Sequence, residues 1–117
     1  MSLFSHPHAP AVSADKAMEM LKEGAILVDI REMDEWSAGH APTAIHIPMG
    51  ELGTKATELS ATSQILFICR SGRRSDHAVG ALVKAGYDAI NLTGGMQAWQ
   101  QAGGAVVRDD GSTGTVI

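Results

Sequence analysis

The stretch that decides the fold is Ile65-Leu66-Phe67-Ile68 followed by Cys69-Arg70-Ser71-Gly72-Arg73-Arg74-Ser75. Its four apolar residues are branched or aromatic, and they predict a buried strand. A helical pattern begins near Asp76, so the seven residues after the strand form a short turn into a helix. Backbone N–H groups at such a turn point toward one place, where we expect the Cys69 sulfur.

Cys69 is the only cysteine of the chain. A free thiol has a pKa of about 8.5 and is only a few per cent ionised at neutral pH. The neighbouring Arg70, Arg73 and Arg74 and the positive end of a helix dipole favour the thiolate, whereas burial alone would raise the pKa. The pattern therefore predicts a nucleophilic cysteine in a loop that binds an anion.

This loop resembles the active-site loop of the rhodanese-like sulfurtransferases, whose pattern is Cys-Arg-x-Gly-x-Arg-Ser/Thr. Three further stretches resemble family signatures in the family's order: Val28-Asp29-Ile30-Arg31-Glu32, then residues 39–48, then Gly94-Gly95 with Trp99 and Gly103. The resemblance covers residues 12–107. The sequence departs from the family pattern at Ala41, Thr43 and His46, where a larger aliphatic residue, glycine and asparagine are usual.

The resemblance implies an α/β fold, a single domain with a five-stranded, mostly parallel sheet and helices on both faces. It also implies that the Cys69 thiolate takes a sulfur from thiosulfate or a related donor, becomes a persulfide, and passes the sulfur to a thiol or to cyanide. No cofactor or metal is implied. The anion-binding positions are Arg70, Ser71, Gly72, Arg73, Arg74 and Ser75.

Within that set, we expect Arg70 and Arg74 to hold the anion and Arg73 to lie exposed at the rim. Ser75 has two interpretations. Its hydroxyl donates to the sulfur, or else Ser75 or Asp76 simply caps the next helix.

Composition limits the remaining functions. A chain of 117 residues with 44% hydrophobic content fits one domain with one modest core, and its net charge of −4 argues against nucleic acid or an anionic membrane as a partner. No apolar run approaches the roughly 18 residues of a membrane span. One cysteine forms no internal disulfide, so we expect a reducing, cytoplasmic compartment and a separate molecule as the sulfur acceptor.

The chain divides into a flexible lead-in (residues 1–11), a domain (12–107) and a flexible, Gly- and Ser-rich tail (108–117). The His6-Pro7-His8 stretch lacks a nearby carboxylate or cysteine, so a polar tail is favoured over a metal site. Apolar runs predict strands at 25–30, 44–47, 64–68, 89–92 and 105–107. Amphipathic patterns predict helices at 13–24, 32–38, 76–86 and 96–102, and residues 50–59 are a poor, mobile helix candidate.

Polar residues near the strand ends have a structural and a functional interpretation. Asp29 and Arg31 are expected to form a salt bridge that fixes a loop. In the alternative, they lie behind the residues that contact the substrate, and Arg31 adds positive potential to the pocket. Trp36 is favoured as a core anchor over a stacking platform. His40 is favoured as a residue that ties down a loop over a general base.

Two other functions compete with sulfur transfer. Cysteine-dependent phosphatases and arsenate reductases use a Cys-x5-Arg loop, but the position required for that arginine is Ser75, and Arg74 gives Cys-x4-Arg. The shorter loop suits a sulfur atom better than a tetrahedral phosphate. The other alternative is a non-catalytic interaction module, which would usually lack the cysteine or the arginines that are present here.

Overall fold

A computed structural model of the protein describes residues 9–59 and 62–117, so the His6-Pro7-His8 stretch lies outside the described residues. The strands are β1 (Ala11–Val12), β2 (Ile26–Asp29), β3 (Ile45–His46), β4 (Ile65–Ile68) and β5 (Ala89–Leu92). The helices are α1 (Ala14–Lys22), α2 (Met33–Ala38), α3 (Met49–Lys55), α4 (Arg73–Lys84) and α5 (Gly95–Gln101), with a 3-10 turn at Ala56–Glu58.

The five strands form one parallel sheet in the order β1-β5-β4-β2-β3. The central strand β4 lies between β2 and β5, with Leu66 beside Leu27 and Phe67 beside Asn91. All four β4 residues are fully buried, as expected for a parallel strand covered by helices on both faces. The predicted α/β fold is confirmed. Cys69 directly follows the carboxyl end of β4 and therefore lies at one edge of the sheet.

Two hydrophobic layers cover the sheet, because successive strand residues point to opposite faces. Leu66 and Ile68 belong to the layer that includes Trp99 of α5. Phe67 belongs to the opposite layer, together with Val79 of α4. The helices are thus fixed on both faces. None of the helices in the described part of the chain has the length and apolar content needed to cross a bilayer.

The fifth strand is β1 rather than the predicted strand at 105–107. It pairs with β5, where Asn91 N donates to Pro10 O at 2.7 Å and Thr93 N donates to Val12 O at 2.9 Å. Val107 instead makes isolated antiparallel bridges with His40 and Thr113. A strand of two residues has no measurable alternation, so the sequence alone gives no signal for it.

Two segments predicted as mobile or frayed are ordered by tertiary contacts. Residues 50–59 contain most of α3 and the 3-10 turn, because burial of Leu52 and Ala56 outweighs a weak helix propensity. In residues 108–117, Gly114 N donates to Val106 O and Thr115 N donates to Ala38 O, both at 2.9 Å. The segment predicted as a flexible tail thus forms hydrogen bonds with the rest of the domain, which local composition does not reveal.

Candidate active site

Cys69 follows β4 directly, and α4 begins only four residues later, at Arg73. The residue that precedes this helix is Gly72, with a φ of +97°, a left-handed conformation that favours glycine. The helix starts three residues before the predicted Asp76. Ser75 and Asp76 therefore lie inside its first turn, and of the two interpretations the one in which either residue caps the helix is wrong.

Cys69 is 1% exposed, and three hydrogen-bond donors lie within reach of its sulfur. The donors are Gly72 N at 3.1 Å, Ser75 N at 3.4 Å and Ser75 Oγ at 3.3 Å. Burial raises the pKa of the thiol, but the hydrogen bonds from the Ser75 hydroxyl and from the N–H groups of Ser75, Gly72 and Ser71 outweigh it, so the pKa lies below its ordinary value. The hydrogen-bond donors, more than the arginine charges expected from sequence, favour the thiolate.

Arg74, in the first turn of α4, is held by a carboxylate. Its Nη1 and Nη2 atoms each donate to a Glu35 oxygen at 2.8 Å. These hydrogen bonds are the main cause of the raised pKa of Arg74, and the charges of Glu35, Cys69 and Asp29 also raise it. Arg74 is therefore close enough to interact electrostatically with the thiolate while it is fixed by Glu35.

The other two loop arginines are exposed. Arg70 turns to the C-terminal segment, where its Nε donates to Ile117 O at 2.9 Å. Arg73 is the first residue of α4 and lies at the outer rim of the loop. The three arginines thus occupy different surroundings, and within residues 9–59 and 62–117 only Arg74 is paired with a side-chain carboxylate.

Sequence reasoning missed Glu35. It lies in the first turn of α2, where its carboxylate also accepts a hydrogen bond from Glu32 N at 3.1 Å. The hydrogen bonds from Arg74 are the main cause of its lowered pKa, burial opposes them, and the bond from Glu32 N adds to the lowering. The spacing of Glu32 and Glu35 signals a capping box, but nothing in it identifies Arg74, which is 39 residues away, as the partner.

Sequence reasoning also missed Asn91, which is 5% exposed on β5. Its Oδ1 accepts a hydrogen bond from Ser75 Oγ at 2.5 Å, and its Nδ2 donates to Gly72 O at 3.2 Å. The available signal was a single amide side chain within the apolar run Ala89-Ile90-Asn91-Leu92. A buried amide needs partners, and here both partners belong to the cysteine loop.

Backbone N–H groups at the start of α5 form hydrogen bonds with carbonyl groups of the cysteine loop. Met96 N donates to Cys69 O at 2.7 Å, and Gln97 N donates to Arg70 O at 3.1 Å. Gly95 has a φ of +58°, and a Cβ atom at this position would overlap the Cys69 carbonyl oxygen. The Gly94-Gly95 pair is therefore required by close backbone approach as well as by backbone conformation.

Asp29 and Arg31 form a fully buried salt bridge, with 2.7 Å between Asp29 Oδ2 and Arg31 Nη2. Arg31 Nη2 also donates to Gly39 O at 2.7 Å, which joins the end of β2 to the residue after α2. Arg31 Nη1 has no hydrogen-bond partner among the described residues. The pair fixes a loop, as the structural interpretation expected, and neither side chain has a hydrogen bond to the cysteine loop in residues 9–59 and 62–117.

Trp36 stacks on two histidines instead of anchoring the core. Its ring centroid lies 3.6 Å from that of His40 and 4.7 Å from that of His46, with nearly parallel planes. The ring Nδ1 of His40 is 2.9 Å from Trp36 O, and Nε2 is 3.6 Å from Asp109 Oδ1. His40 thus connects α2 to the C-terminal segment and ties down a loop.

A shallow cavity of about 420 Å³ lies on the β5 side of the cysteine loop. Its lining residues are Ala9, Ala11, Ser71, Gly72, Arg73, Asp76, Asn91, Thr93 and Gly94. Among the described residues, no three His, Cys, Asp or Glu side chains are grouped as a metal site would require. The arrangement as a whole provides a buried cysteine sulfur, N–H donors and one fixed guanidinium at the edge of the sheet.

Comparison with known proteins is consistent with this geometry. The sequence profile of the Rhodanese-like domain matches residues 13–102. A crystal structure of a rhodanese-related protein from Thermoplasma volcanium superimposes with a TM-score of 0.78 at 32% identity, covering 84% of this chain and 97% of that one.

Two Bacillus subtilis proteins are each 40% identical over 78 residues. One is named "Putative sulfurtransferase YtwF", and the match covers 67% of this chain and 76% of that protein. The other is named "Putative sulfur carrier protein YrkF", and the match covers 66% of this chain but only 42% of that protein.

Proposed function

Since the chain belongs to the Rhodanese-like domain family, we propose that it is a sulfurtransferase in which Cys69 carries the transferred sulfur as a persulfide. The observation that carries this proposal is the buried Cys69 sulfur with its three hydrogen-bond donors. The hydrogen bonds lower the pKa of the Cys69 thiol and so favour the thiolate, which is the form of cysteine that attacks sulfur. The names of the two Bacillus subtilis relatives support the same class of reaction.

In the first step, the Cys69 thiolate attacks the outer sulfur of thiosulfate or of a related donor. A sulfur–sulfur bond forms at Cys69 as the sulfur–sulfur bond of the donor breaks, and sulfite leaves with the bonding electron pair. In the second step, an external thiolate or cyanide attacks the outer sulfur of the persulfide. Cys69 then departs as the thiolate, so no net oxidant is needed and the site returns to its starting form.

The donor proposed is a small anion, because the loop presents N–H groups and positive charge to the sulfur. Arg74 is the arginine best placed to attract the anion, since its guanidinium interacts with the Cys69 charge. Arg70 and Arg73 add positive charge at the exposed rim. The N–H groups of Ser71, Gly72 and Ser75 hold the charged sulfur of the thiolate during the cycle.

The acceptor proposed is an external thiol, either a small molecule or a cysteine of a partner protein. Cys69 is the only cysteine of the sequence, so a second thiol of this chain does not take the sulfur from it. The reaction needs no metal or cofactor, because the nucleophile and the leaving group are both sulfur species. A reducing compartment such as the cytoplasm fits a mechanism that depends on a free thiolate.

The test is intact mass spectrometry after reduction, incubation with thiosulfate and desalting, on the wild type and on Cys69→Ser. We expect a gain of one sulfur atom in the wild type, reversed by cyanide or a thiol, and no gain in Cys69→Ser. Ser is the matched control because it has nearly the same shape but cannot form a persulfide.

A wild-type protein that gains no sulfur from thiosulfate, from a mercaptopyruvate-type donor or from a protein persulfide would overturn the proposal. Release of phosphate from an aryl phosphate would then identify the phosphatase-like alternative. Absence of both activities would instead favour a binding module.

A further inference from the structure

We propose that Asn91 is a positioning residue that competes with the Cys69 sulfur for the single hydroxyl proton of Ser75. This inference deepens the proposed function, on which its role in the cycle rests. The competition itself concerns only the ionisation of Cys69, and it can be measured without any sulfur donor.

The geometry gives the Ser75 hydroxyl more acceptors than it can serve. Ser75 Oγ lies 2.5 Å from Asn91 Oδ1, 3.3 Å from Cys69 Sγ and 3.3 Å from Gly72 O. A serine hydroxyl has one proton and makes one strong donation at a time. By distance, Asn91 Oδ1 is the nearest of these acceptors, and the Cys69 sulfur competes with it for the proton.

The orientation of the Asn91 amide follows from its second contact. Its Nδ2 lies 3.2 Å from Gly72 O, a carbonyl that only accepts hydrogen bonds. Exchanging the amide oxygen and nitrogen would place two acceptors against each other at that distance. The Gly72 carbonyl therefore holds Oδ1 toward Ser75, which makes Asn91 a fixed acceptor for the hydroxyl proton.

The competition changes during the proposed cycle. When Cys69 is a thiolate, its charge attracts the Ser75 proton, because hydrogen bonds to charged acceptors are the stronger ones. When Cys69 is a persulfide, Sγ is no longer the charged atom, and the proton returns to Asn91 Oδ1. Asn91 thus gives the buried hydroxyl an acceptor in each state, so that Ser75 is never left unpaired.

Several charged groups surround the loop and stay unchanged when Asn91 is replaced. They are Arg70 on the loop, Arg73, Arg74 and Asp76 on α4, Glu35 on α2, and Asp29 and Arg31 at the end of β2. Asn91 itself is uncharged. A change in the ionisation of Cys69 in an Asn91 variant therefore has to be transmitted through hydrogen bonds, and Ser75 is the residue that links the two side chains.

The experiment measures the pH dependence of Cys69 alkylation by iodoacetamide in four proteins: wild type, Asn91→Leu, Ser75→Ala and the double variant. Leucine has nearly the shape of asparagine without its hydrogen bonds. We expect Asn91→Leu to lower the pKa of Cys69 by about half a unit to one unit, because a released hydroxyl hydrogen bond is worth about 1 kcal/mol. Ser75→Ala should raise the pKa, and adding Asn91→Leu to Ser75→Ala should cause no further shift.

An unchanged pKa in Asn91→Leu would overturn the inference, and so would an equal shift with and without the Ser75 hydroxyl. Circular dichroism checks that each variant is folded. If Asn91→Leu does not fold, Asn91→Ala takes its place, and it should also lower the pKa of Cys69, because it removes the competing acceptor without adding a charge. A failed persulfide test leaves this result intact, because alkylation needs only the thiol.

Discussion

Glu35 and Arg74 form a bidentate ion pair that connects α2 to the first turn of α4, with both nitrogen–oxygen distances at 2.8 Å. The pair is partly exposed, with 37% of the Arg74 side chain and 14% of the Glu35 side chain accessible to solvent. It fixes the guanidinium in one place beside the cysteine loop. A fixed cation loses little freedom when an anionic donor binds.

Replacing Arg74 should weaken donor binding more than folding. We expect Arg74→Ala to raise the KM for thiosulfate about tenfold or more, since one hydrogen bond to a charged group is worth about 1.5–3 kcal/mol. Steady-state kinetics measure this, and Arg73→Ala is the matched control because it removes a neighbouring charge at the exposed rim. Equal KM values in Arg74→Ala and the wild type would remove Arg74 from the binding site.

The Glu35–Arg74 pair should also make stability depend on pH. Because Arg74 lowers the pKa of Glu35 in the folded state, the pair stabilises the fold above the unfolded-state pKa of about 4.3, and this stabilisation is lost as the pH falls through the lower folded-state pKa. We expect Glu35→Gln to reduce the free energy of unfolding by about 1 kcal/mol or less at pH 7, because the pair is partly exposed.

Urea denaturation at pH 7 and at pH 3 measures this difference, which should shrink at the lower pH. Glu51→Gln is the matched control, because Glu51 pairs with Lys55 at 2.8 Å on one helix and both side chains are about half exposed. The control should change stability little at either pH. A Glu35→Gln effect that grew toward acidic pH would contradict the prediction.

Cys69 should react as a thiolate below the pH at which an ordinary cysteine does. The rate of alkylation by iodoacetamide in the folded protein should reach its midpoint below a pH of about 8.5, because hydrogen bonds stabilise the charged sulfur. The same protein unfolded in urea is the reference, since it contains the same single thiol. A folded-state midpoint at or above the unfolded one would remove the argument for an activated nucleophile.

Adding one methyl group at Gly95 should disrupt the loop. Gly95→Ala combines a φ of +58° with an overlap between the new Cβ and the Cys69 carbonyl oxygen, so we expect a loss of stability of more than 2 kcal/mol. Slower alkylation of Cys69 should accompany it. Urea denaturation and the alkylation assay together measure both effects.

Substitutions at two other glycines distinguish backbone strain from steric overlap as the cause of the lost stability. Gly86 has a φ of +97° with open space around it, so Gly86→Ala should cost only the conformational strain of about 1–2 kcal/mol. Gly80 lies inside α4 with open space and a helical backbone, so Gly80→Ala should stabilise the protein by about 0.5–1 kcal/mol. A Gly95→Ala variant as stable as Gly86→Ala would show that the carbonyl contact is unimportant.

The sequence predicts the parts of this protein that depend on neighbouring residues. The buried strand before Cys69 and the helices predicted at 13–24 and 32–38 follow from local patterns, and the structure contains them as β4, α1 and α2. The start of α4 was predicted too late, because Gly72 takes a left-handed conformation that allows the helix to begin within the cysteine loop.

The parts that sequence reasoning missed depend on long-range contacts. Glu35 meets Arg74 and Asn91 meets Ser75 only after parallel strands bring their loops to the same edge of the sheet. The stacking of Trp36 on His40 and His46 likewise depends on how α2 lies against the chain that follows it. Residue type drew attention to Trp36, His40, Arg74 and Ser75 but not to Glu35 and Asn91, the partners of Arg74 and Ser75.

The donors nearest to the Cys69 sulfur include two backbone N–H groups, from Gly72 and Ser75, and these have a consequence for how the chain tolerates mutation. A side-chain substitution does not delete a main-chain amide, so most changes on the loop surface leave this stabilisation of the sulfur in place. The vulnerable positions are instead the glycines that set the path of the backbone, Gly72 and Gly95. The positions of these two main-chain donors therefore depend on residues without a side chain, and only the third donor, the Ser75 hydroxyl, is lost by a side-chain substitution.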